Sequence, residues 1–286
     1  MIVVRTVTEL RDAVAMARGR GERIGLVPTM GSFHEGHLTL MRRARARCGL
    51  VVVSLFVNPT QFNDAGDLAR YPRDEARDSE LASSAGAHVL FAPAVEEVYP
   101  AGFSSTVEVH GLSAPLEGVV RGSEHFRGVA TVVAKLFNMA QPDDAYFGQK
   151  DAQQALLVLR MVRDLNLPVR IEVCPTVREV DGLAMSSRNV LLSADDRRRA
   201  PGLARALFAV ADAVAAGERD VPRALGAGAA VLGAEGIVPE YFAAVSTDTL
   251  APVATIDEET LIALAARFGK VRLIDNVLVS PMERAR

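Results

Sequence analysis

The sequence predicts an α/β protein: a doubly wound parallel sheet followed by a smaller C-terminal α+β domain. Two observations carry this. First, short apolar, β-branched runs alternate with helical patterns through roughly the first 175 residues, the rhythm of βαβ units and hence of a parallel sheet. The strands and helices read in order as "RIGLVPT", "GHLTLMRRARARC", "LVVVSLFVNP", "RDEARDSELASSAG" and "HVLFAP". They continue as "GVATVVAKLFNMAQ" (helix), "DAYFG" (strand), "DAQQALLVLRMVRDLN" (helix) and "VRIEVCPTV" (strand). The strand runs are almost continuously apolar, as expected where helices cover both faces. Second, the rhythm changes after Val177. A loop "DGLAMSSRN", an Ala- and Arg-rich helical stretch over about 194–236, and the runs "EYFAAVST", "LIALAARFG" and "VRLIDNVLV" follow, the last three reading as a small antiparallel sheet. The expected domains are therefore 1–176 and 177–286.

Composition narrows the class. Hydrophobic residues make up 49% and charged residues 23% of 286 residues, the balance of a globular enzyme and not of a disordered chain. The 32 basic and 35 acidic residues nearly cancel, so no general footprint for nucleic acid or anionic lipid is expected. Cys48 and Cys174 lie in apolar surroundings outside any CxxC or Cys/His cluster, which suits buried thiols in a reducing compartment. The first residues carry charges and no small-residue cleavage site, and no stretch reaches about 18 uncharged apolar residues. No membrane partner and a cytoplasmic location are the expectation.

The stretch "PTMGSFHEGHLTL" places His34 and His37 just beyond an apolar strand. Gly31 to Gly36 has the spacing of a P-loop, but His37 and Leu38 stand where its lysine and hydroxyl belong, so it is not one. A strand ending at Thr29, a glycine turn and a helix beginning near Gly36 nevertheless suit phosphate, because free N–H groups and the positive dipole end favour an anion. The i, i+3 spacing puts both imidazoles on one side of the entering helix. Capping or packing in the turn, a zinc site lacking a third ligand, and a nucleotide-phosphate site are all open on local grounds. In "AYFGQKDAQQ", Lys150 and Asp151 lie at a strand-to-helix turn. The chain has only three lysines against 29 arginines, so a lysine there hints at a need for a compact charge. "LAMSSRN" offers two hydroxyls and a guanidinium suited to pyrophosphate oxygens.

Together "VPTMGSFHEGHL", "FVNPTQF", "YFGQKDAQQ" and "DGLAMSSRN", with "RLIDN" near the end, resemble the pantothenate synthetase (pantoate–β-alanine ligase) family over nearly the whole chain. The resemblance implies a Rossmann-like ATP- and pantoate-binding domain and a C-terminal lid domain of the HIGH/KMSKS nucleotidyltransferase superfamily. His34-x-x-His37 is then the first signature and Met185-Ser186-Ser187-Arg188 the second. It implies ATP-dependent joining of pantoate to β-alanine through pantoyl adenylate, with ATP as substrate, Mg²⁺ on its phosphates, and a homodimer. By the same resemblance His34 and His37 contact the phosphates, Lys150 the reacting phosphoryl oxygens, and Ser186, Ser187 and Arg188 the β/γ end. Asp151 and the Gly148 backbone meet the ribose. Pro28, Thr29, Met30, Gly36, Val177 and Met185 complete the ATP pocket, while Gln61 and Gln154 read pantoate beside Met30 and Asn58, with Tyr71 at the edge. Binding of ATP is expected to draw the lid over, with Gly182 as hinge.

Three departures stand out. Gln149 occupies a position where the family usually has glutamate, and Ala152 one where it has an aromatic. His125 follows Arg121 by four residues where three are expected, so the loop that carries Glu117, Arg121 and Arg127 is shifted by one, and either arginine can face the site. The rival readings are a sister adenylyltransferase, which would lack "FVNPTQF" and "FGQKDAQQ", a small aminoacyl-tRNA synthetase-like protein, and a non-catalytic nucleotide sensor.

Overall fold

The chain opens with β1 (Ile2–Val4) and α1 (Val7–Gly19), whose start is fixed by a capping box between Thr6 and Glu9. It continues through β2 (Ile24–Thr29), α2 (Glu35–Arg45), β3 (Leu50–Leu55), α3 (Ala65–Arg70), α4 (Glu75–Ser84), β4 (Val89–Phe91) and α5 (Val95–Val98). Then come α6 (Glu117–Ala140), β5 (Asp144–Gly148), α7 (Ala152–Asp164) and β6 (Arg170–Cys174). The last third holds α8 (Ala194–Arg199), α9 (Gly202–Ala215), α10 (Val221–Ala234), β7 (Pro239–Ser246), β8 (Thr260–Phe268) and β9 (Val271–Val279). This computed structural model describes residues 1–281. Two compact units emerge, residues 1–149 with 153–175, and residues 150–152 with the chain from Thr176 onward.

In the first unit six strands pair in the order β1-β4-β3-β2-β5-β6, all parallel. Period-2 alternation sorts the side chains of each strand between two cores. Ile24, Leu26, Val52, Val89, Phe91, Ala145 and Phe147 meet α1, α6 and α7 on one face. Val27, Val51, Val53, Leu90 and Tyr146 meet α2 and α4 on the other. The chain leaves β2 for β3 and β4 on one side, and β5 and β6 lie on the other side of β2. The strand order therefore reverses between β2 and β5, and the crevice beyond their carboxyl ends is where such sheets bind ligands. Both the histidine turn after Thr29 and the end of β5 at Gly148 open there.

The second unit pairs β7-β8-β9 antiparallel. Ile262, Leu264, Ala266 and Phe268 of β8, with Leu273 of β9, form one core with Leu203, Leu207 and Val210 of α9 and Ala224 and Leu232 of α10.

The sequence expectations differ from the structure in three places. The expected helix beginning at Gly128 starts at Glu117, because its first turns read "EGVVRGSEHFR", too glycine-rich and polar to show a period. The helical stretch over 194–236 is three helices. Cys48 is buried as expected, but not in purely apolar surroundings. Its Sγ lies 3.5 Å from the Asp144 carboxylate and 3.7 Å from the Tyr146 hydroxyl. Asp144, fully buried, is held by Arg23 and Arg170, each at 2.7 Å. Burial alone would raise its pKa, but these two guanidiniums hold it below the usual carboxylate range.

His88, between α4 and β4, accepts the Val51 N–H on Nδ1 at 2.9 Å. Burial, with the nearby Arg45 and against the opposing pull of Glu22, holds its pKa below the ordinary histidine value. A depressed histidine pKa means that the fold prefers the neutral ring. Its contribution is complete above the unfolded value of about 6.5 and is lost as pH falls below it through the folded value. We expect Tm to fall on acidification from about pH 7 toward 5, and His88→Gln to flatten the decline in that window. Thermal melts across pH measure both, and an unchanged slope in the variant would exclude His88 as a contributor.

Candidate active site

The turn after β2 is built backbone first. Gly31 (φ 89°) and Ser32 (φ 55°) both adopt left-handed conformations, which turn the chain sharply from strand to helix. A Cβ on Gly31 would stand 2.6 Å from Leu55 Cδ1 and 2.8 Å from Asp78 Oδ2, so only glycine fits. Asp78, buried on α4, then accepts two main-chain donors, Ser32 N–H and Phe33 N–H, each at 2.8 Å. Phe33 anchors the turn in the core.

His34 is the N-cap of α2 and His37 its N3 residue. Gly36 N–H donates to His34 Nδ1 at 3.1 Å, and His34 N–H donates to His37 Nδ1 at 3.3 Å, so two imidazoles form the reciprocal cap usually made by Ser and Glu. The ring centroids are 4.2 Å apart. This arrangement fixes the tautomer. Where Nδ1 accepts, the neutral ring carries its proton on Nε2, and both rings present Nε2–H donors. The capping and phosphate readings are thus compatible, since they use opposite nitrogens.

Pro28 and Thr29 end β2, and Met30 follows with its Sδ 3.2 Å from Gln61 Nε2. Asn58 and Gln61 bracket a short 3-10 turn, and Asn58 Nδ2 donates to Gln61 Oε1 at 3.0 Å. Tyr71 packs edge-on against Phe62 with centroids 5.7 Å apart. Gln154 lies half-buried on the first turn of α7, and no hydrogen bond joins it to Gln61 among the described residues. Its neighbour Gln153 is structural, because its buried amide ties Glu117 N–H to the carbonyls of Leu112 and Pro115. Arg121 pairs with the buried Glu117 at 3.1 Å, whereas Arg127 pairs with Glu124.

In the second unit Lys150 and Asp151 lie in a 3-10 turn, with Lys150 Nζ 3.8 Å from the Asp151 carboxylate. The Lys150 carbonyl accepts from Asn276 Nδ2 on β9 at 3.0 Å. The loop that carries Ser186, Ser187 and Arg188 closes on itself. Met185 N–H donates to Val177 O at 2.9 Å, Gly182 takes φ 92°, and Arg188 N–H donates to Ser186 Oγ at 3.2 Å. Arg178 anchors it, reaching Asp275 with both guanidinium nitrogens (2.6 and 3.0 Å) and the Gly182 carbonyl at 3.1 Å. Sequence reasoning missed Asp78 and Arg178, and quoted Asp275 and Asn276 within "RLIDN" without giving them a role. A faint signal exists for two of them: Asp78 sits one turn from buried Ala82 on the inward stripe of α4, and Asp275 takes an inward phase of an alternating strand.

Residues 2–278 match the family model described as Pantoate-beta-alanine ligase. The chain belongs to this family. Pantothenate synthetases from Cereibacter sphaeroides and Moorella thermoacetica are each 53% identical to it, over 97% and 98% of this chain and 99% of each relative. Among solved structures, pantothenate synthetase from Thermus thermophilus aligns with TM-score 0.91 and 50% identity, covering 98% of this chain and all of that one. Pantoate-beta-alanine ligase from Francisella tularensis, solved with a β,γ-ATP ligand and β-alanine, aligns with TM-score 0.77 and 33% identity over 97% of each chain. Against the ligase pattern, the segment with the shifted spacing is where α6 is interrupted. Gly122 (φ 76°) breaks the helix between Arg121 and His125.

Asp78→Asn replaces one of two accepting oxygens with an NH₂ group facing a backbone N–H. The expected cost is about 2–3 kcal/mol, the scale of an unsatisfied charged acceptor site. Urea unfolding with an unchanged m-value measures it, and a loss below about 0.5 kcal/mol, the level of an ordinary surface change, would show that Asp78 does not pin the turn.

Proposed function

We propose that this chain condenses (R)-pantoate with β-alanine at the expense of ATP, through a pantoyl-adenylate intermediate. The observation that carries the reading is the family match over residues 2–278, with the histidine turn intact inside it. A pantoate carboxylate oxygen attacks the α-phosphorus of ATP. The new acyl–O–P bond forms as the α–β bridging bond breaks, and pyrophosphate leaves. The β-alanine amine then attacks the acyl carbon, the amide forms, AMP departs and the amine loses a proton. The first step brings one anion onto another, so catalysis rests on positioning and on neutralising growing charge, with no covalent enzyme nucleophile.

The site residues take the following roles. His34 and His37 donate Nε2–H to phosphate oxygens at the head of α2, where the helix dipole adds to them. Lys150 meets the transferring phosphoryl group as a compact charge. Ser186, Ser187 and Arg188 gather the departing pyrophosphate. Gly148 and Asp151 are assigned to the ribose, and Pro28, Thr29, Met30, Gly36, Val177 and Met185 to ATP. Gln61 and Gln154, with Met30 and Asn58, hold pantoate. Mg²⁺ arrives on the ATP phosphates, as it commonly does. A homodimer in the cytoplasm fits the family resemblance and the two free, buried cysteines. A sister adenylyltransferase or a nucleotide sensor would leave the full-length ligase match without a reason.

Exchange of labelled pyrophosphate into ATP tests the reading. We expect exchange to need Mg²⁺ and pantoate but not β-alanine, and His34→Ala or His37→Ala to slow it by about 10²-fold, the scale of losing one oriented donor. Exchange that demands β-alanine would rule out a free-standing adenylate. The loop carries a second expectation. Arg188→Ala should slow the first half-reaction strongly and amide formation from supplied pantoyl adenylate much less, because pyrophosphate is absent from the second. Single-turnover kinetics separates the two, and equal losses would move Arg188 from the leaving group to the adenylate.

A further inference from the structure

Tyr99 follows α5 and belongs to none of the sequence motifs, yet its hydroxyl ends on one of them. It donates to Asn58 Oδ1 at 2.8 Å. The same oxygen accepts the Thr60 hydroxyl at 2.9 Å and lies 3.4 Å from the Thr60 N–H. Asn58 Nδ2 faces only acceptors, Gln61 Oε1 at 3.0 Å and Gly128 O at 3.2 Å. The buried amide keeps this orientation because a flip would set its NH₂ against the Thr60 N–H and its oxygen against the Gly128 carbonyl, two main-chain groups whose roles cannot change.

The orientation passes to Gln61. With Oε1 committed to Asn58, the Gln61 NH₂ is the end that turns toward Met30, whose Sδ lies 3.2 Å away. The main chain of Gln61 is held separately, as His125 Nδ1–H donates to its carbonyl at 2.6 Å. Helix α6 approaches this turn closely. A Cβ on Gly128 would come within 2.4 Å of Thr60 O and 2.9 Å of Gln61 N, so only glycine lets the helix seat against it. The Tyr99 ring is fixed in turn by Phe56 and Phe103, with centroids 6.1 and 5.1 Å away, while the Lys135 ammonium stands 4.5 Å from the Phe103 ring and 5.8 Å from that of Tyr99.

We propose that Tyr99 is a positioning residue for the hydroxy-acid substrate. Acting through Asn58, it holds the Gln61 amide with its NH₂ end, and not its carbonyl, available to an oxygen of pantoate. The proposal rests on the assignment of Gln61 to pantoate made above. It also names the group that is selected, an oxygen acceptor and not a donor, since a flipped Gln61 would offer a carbonyl that repels a carboxylate.

The test uses the whole enzyme and four proteins: the parent, Tyr99→Phe, Gln61→Ala and the double variant. Tyr99→Phe keeps the ring and its packing and removes only the hydroxyl. We expect it to lower kcat/KM for pantoate about fivefold, the worth of one neutral hydrogen bond, chiefly through KM. The KM for ATP and the melting temperature should stay close to the parent's. In the Gln61→Ala background the same substitution should have no further effect, because the group it positions is gone. Losses that multiply across the two sites, a parallel rise in the KM for ATP, or an unchanged pantoate KM in Tyr99→Phe would overturn the relay. Gln61→Ala with parental kcat/KM for pantoate would instead overturn the assignment of Gln61, and the relay with it.

Discussion

The candidate site of the first unit rests on one arrangement at the head of α2: each of two imidazoles spends its Nδ1 on a backbone N–H, so the neutral ring carries its proton on Nε2. An imidazole free to choose its tautomer would present a donor or an acceptor to a phosphate with nearly equal ease, and half of those choices repel. The reciprocal cap between His34 and His37 removes the choice. It requires the chain to leave β2 by a turn tight enough to bring His34 to the N-cap, and that turn requires left-handed backbone at Gly31 and at Ser32. A non-glycine residue in that region costs about 1–3 kcal/mol. The two bonds from Ser32 and Phe33 to the Asp78 carboxylate offset it. The position of α4 is therefore part of the histidine site, although no residue of α4 is assigned to a substrate.

The Asn58–Gln61 turn solves the same problem with a different side chain. An amide, like an imidazole, is ambiguous: rotated by half a turn it exchanges donor for acceptor at little steric cost. Donors on one side of Asn58 and acceptors on the other make its orientation single-valued, and Gln61 inherits it. Both solutions draw on groups distant in sequence, 45 residues from Phe33 to Asp78 and 41 from Asn58 to Tyr99.

That distance explains what the sequence could and could not disclose. The central strands of the parallel sheet, β2, β3 and β5, were legible because they are apolar runs buried on both faces, and β5 there and β9 in the antiparallel sheet begin and end where their quoted runs do. The histidine turn was legible because glycines, a strand end and two imidazoles fall within one short segment. Tyr99 was not, since a single residue after a helix carries no period, and Asp78 showed only its place on the inward stripe of α4; the partners of both are known only once the chain has folded. The start of α6 was hidden for a local reason. Leu116 takes φ 52° and Gly122 φ 76°, so the first turn of the helix is bounded by breaks that no helical pattern predicts. Cys48 was read as one thiol among apolar neighbours because Asp144 and Tyr146 lie nearly a hundred residues away.

In the second unit a charged anchor adds to the apolar one that holds the loop assigned above to the departing pyrophosphate. Segment 178–189 buries Leu183, Ala184 and Asn189 and leaves its other residues half-buried or exposed, so polar ties add to the apolar contact that Leu183 makes. Arg178 supplies a planar fork that binds both oxygens of the buried Asp275 carboxylate, adds the Gly182 carbonyl, and stacks 5.0 Å over the Phe208 ring. A lysine could offer neither the bidentate geometry nor the stacking. Breaking a buried pair of this kind typically costs about 3–5 kcal/mol, because the surviving charge is left without a partner. Asn276, the next residue of β9, holds the Lys150 carbonyl. Residues 150–152, the end of the 3-10 turn after β5 and the first residue of α7, thus share one strand as reference with the loop that ends in Ser186, Ser187 and Arg188. The lysine assigned to the transferring phosphoryl group and the residues assigned to the departing pyrophosphate are set by adjacent side chains, Asp275 and Asn276. A displacement of β9 would move both sets together, which preserves their mutual spacing. For a reaction whose charge shifts from one phosphorus to its neighbour, that spacing is the quantity that must not drift.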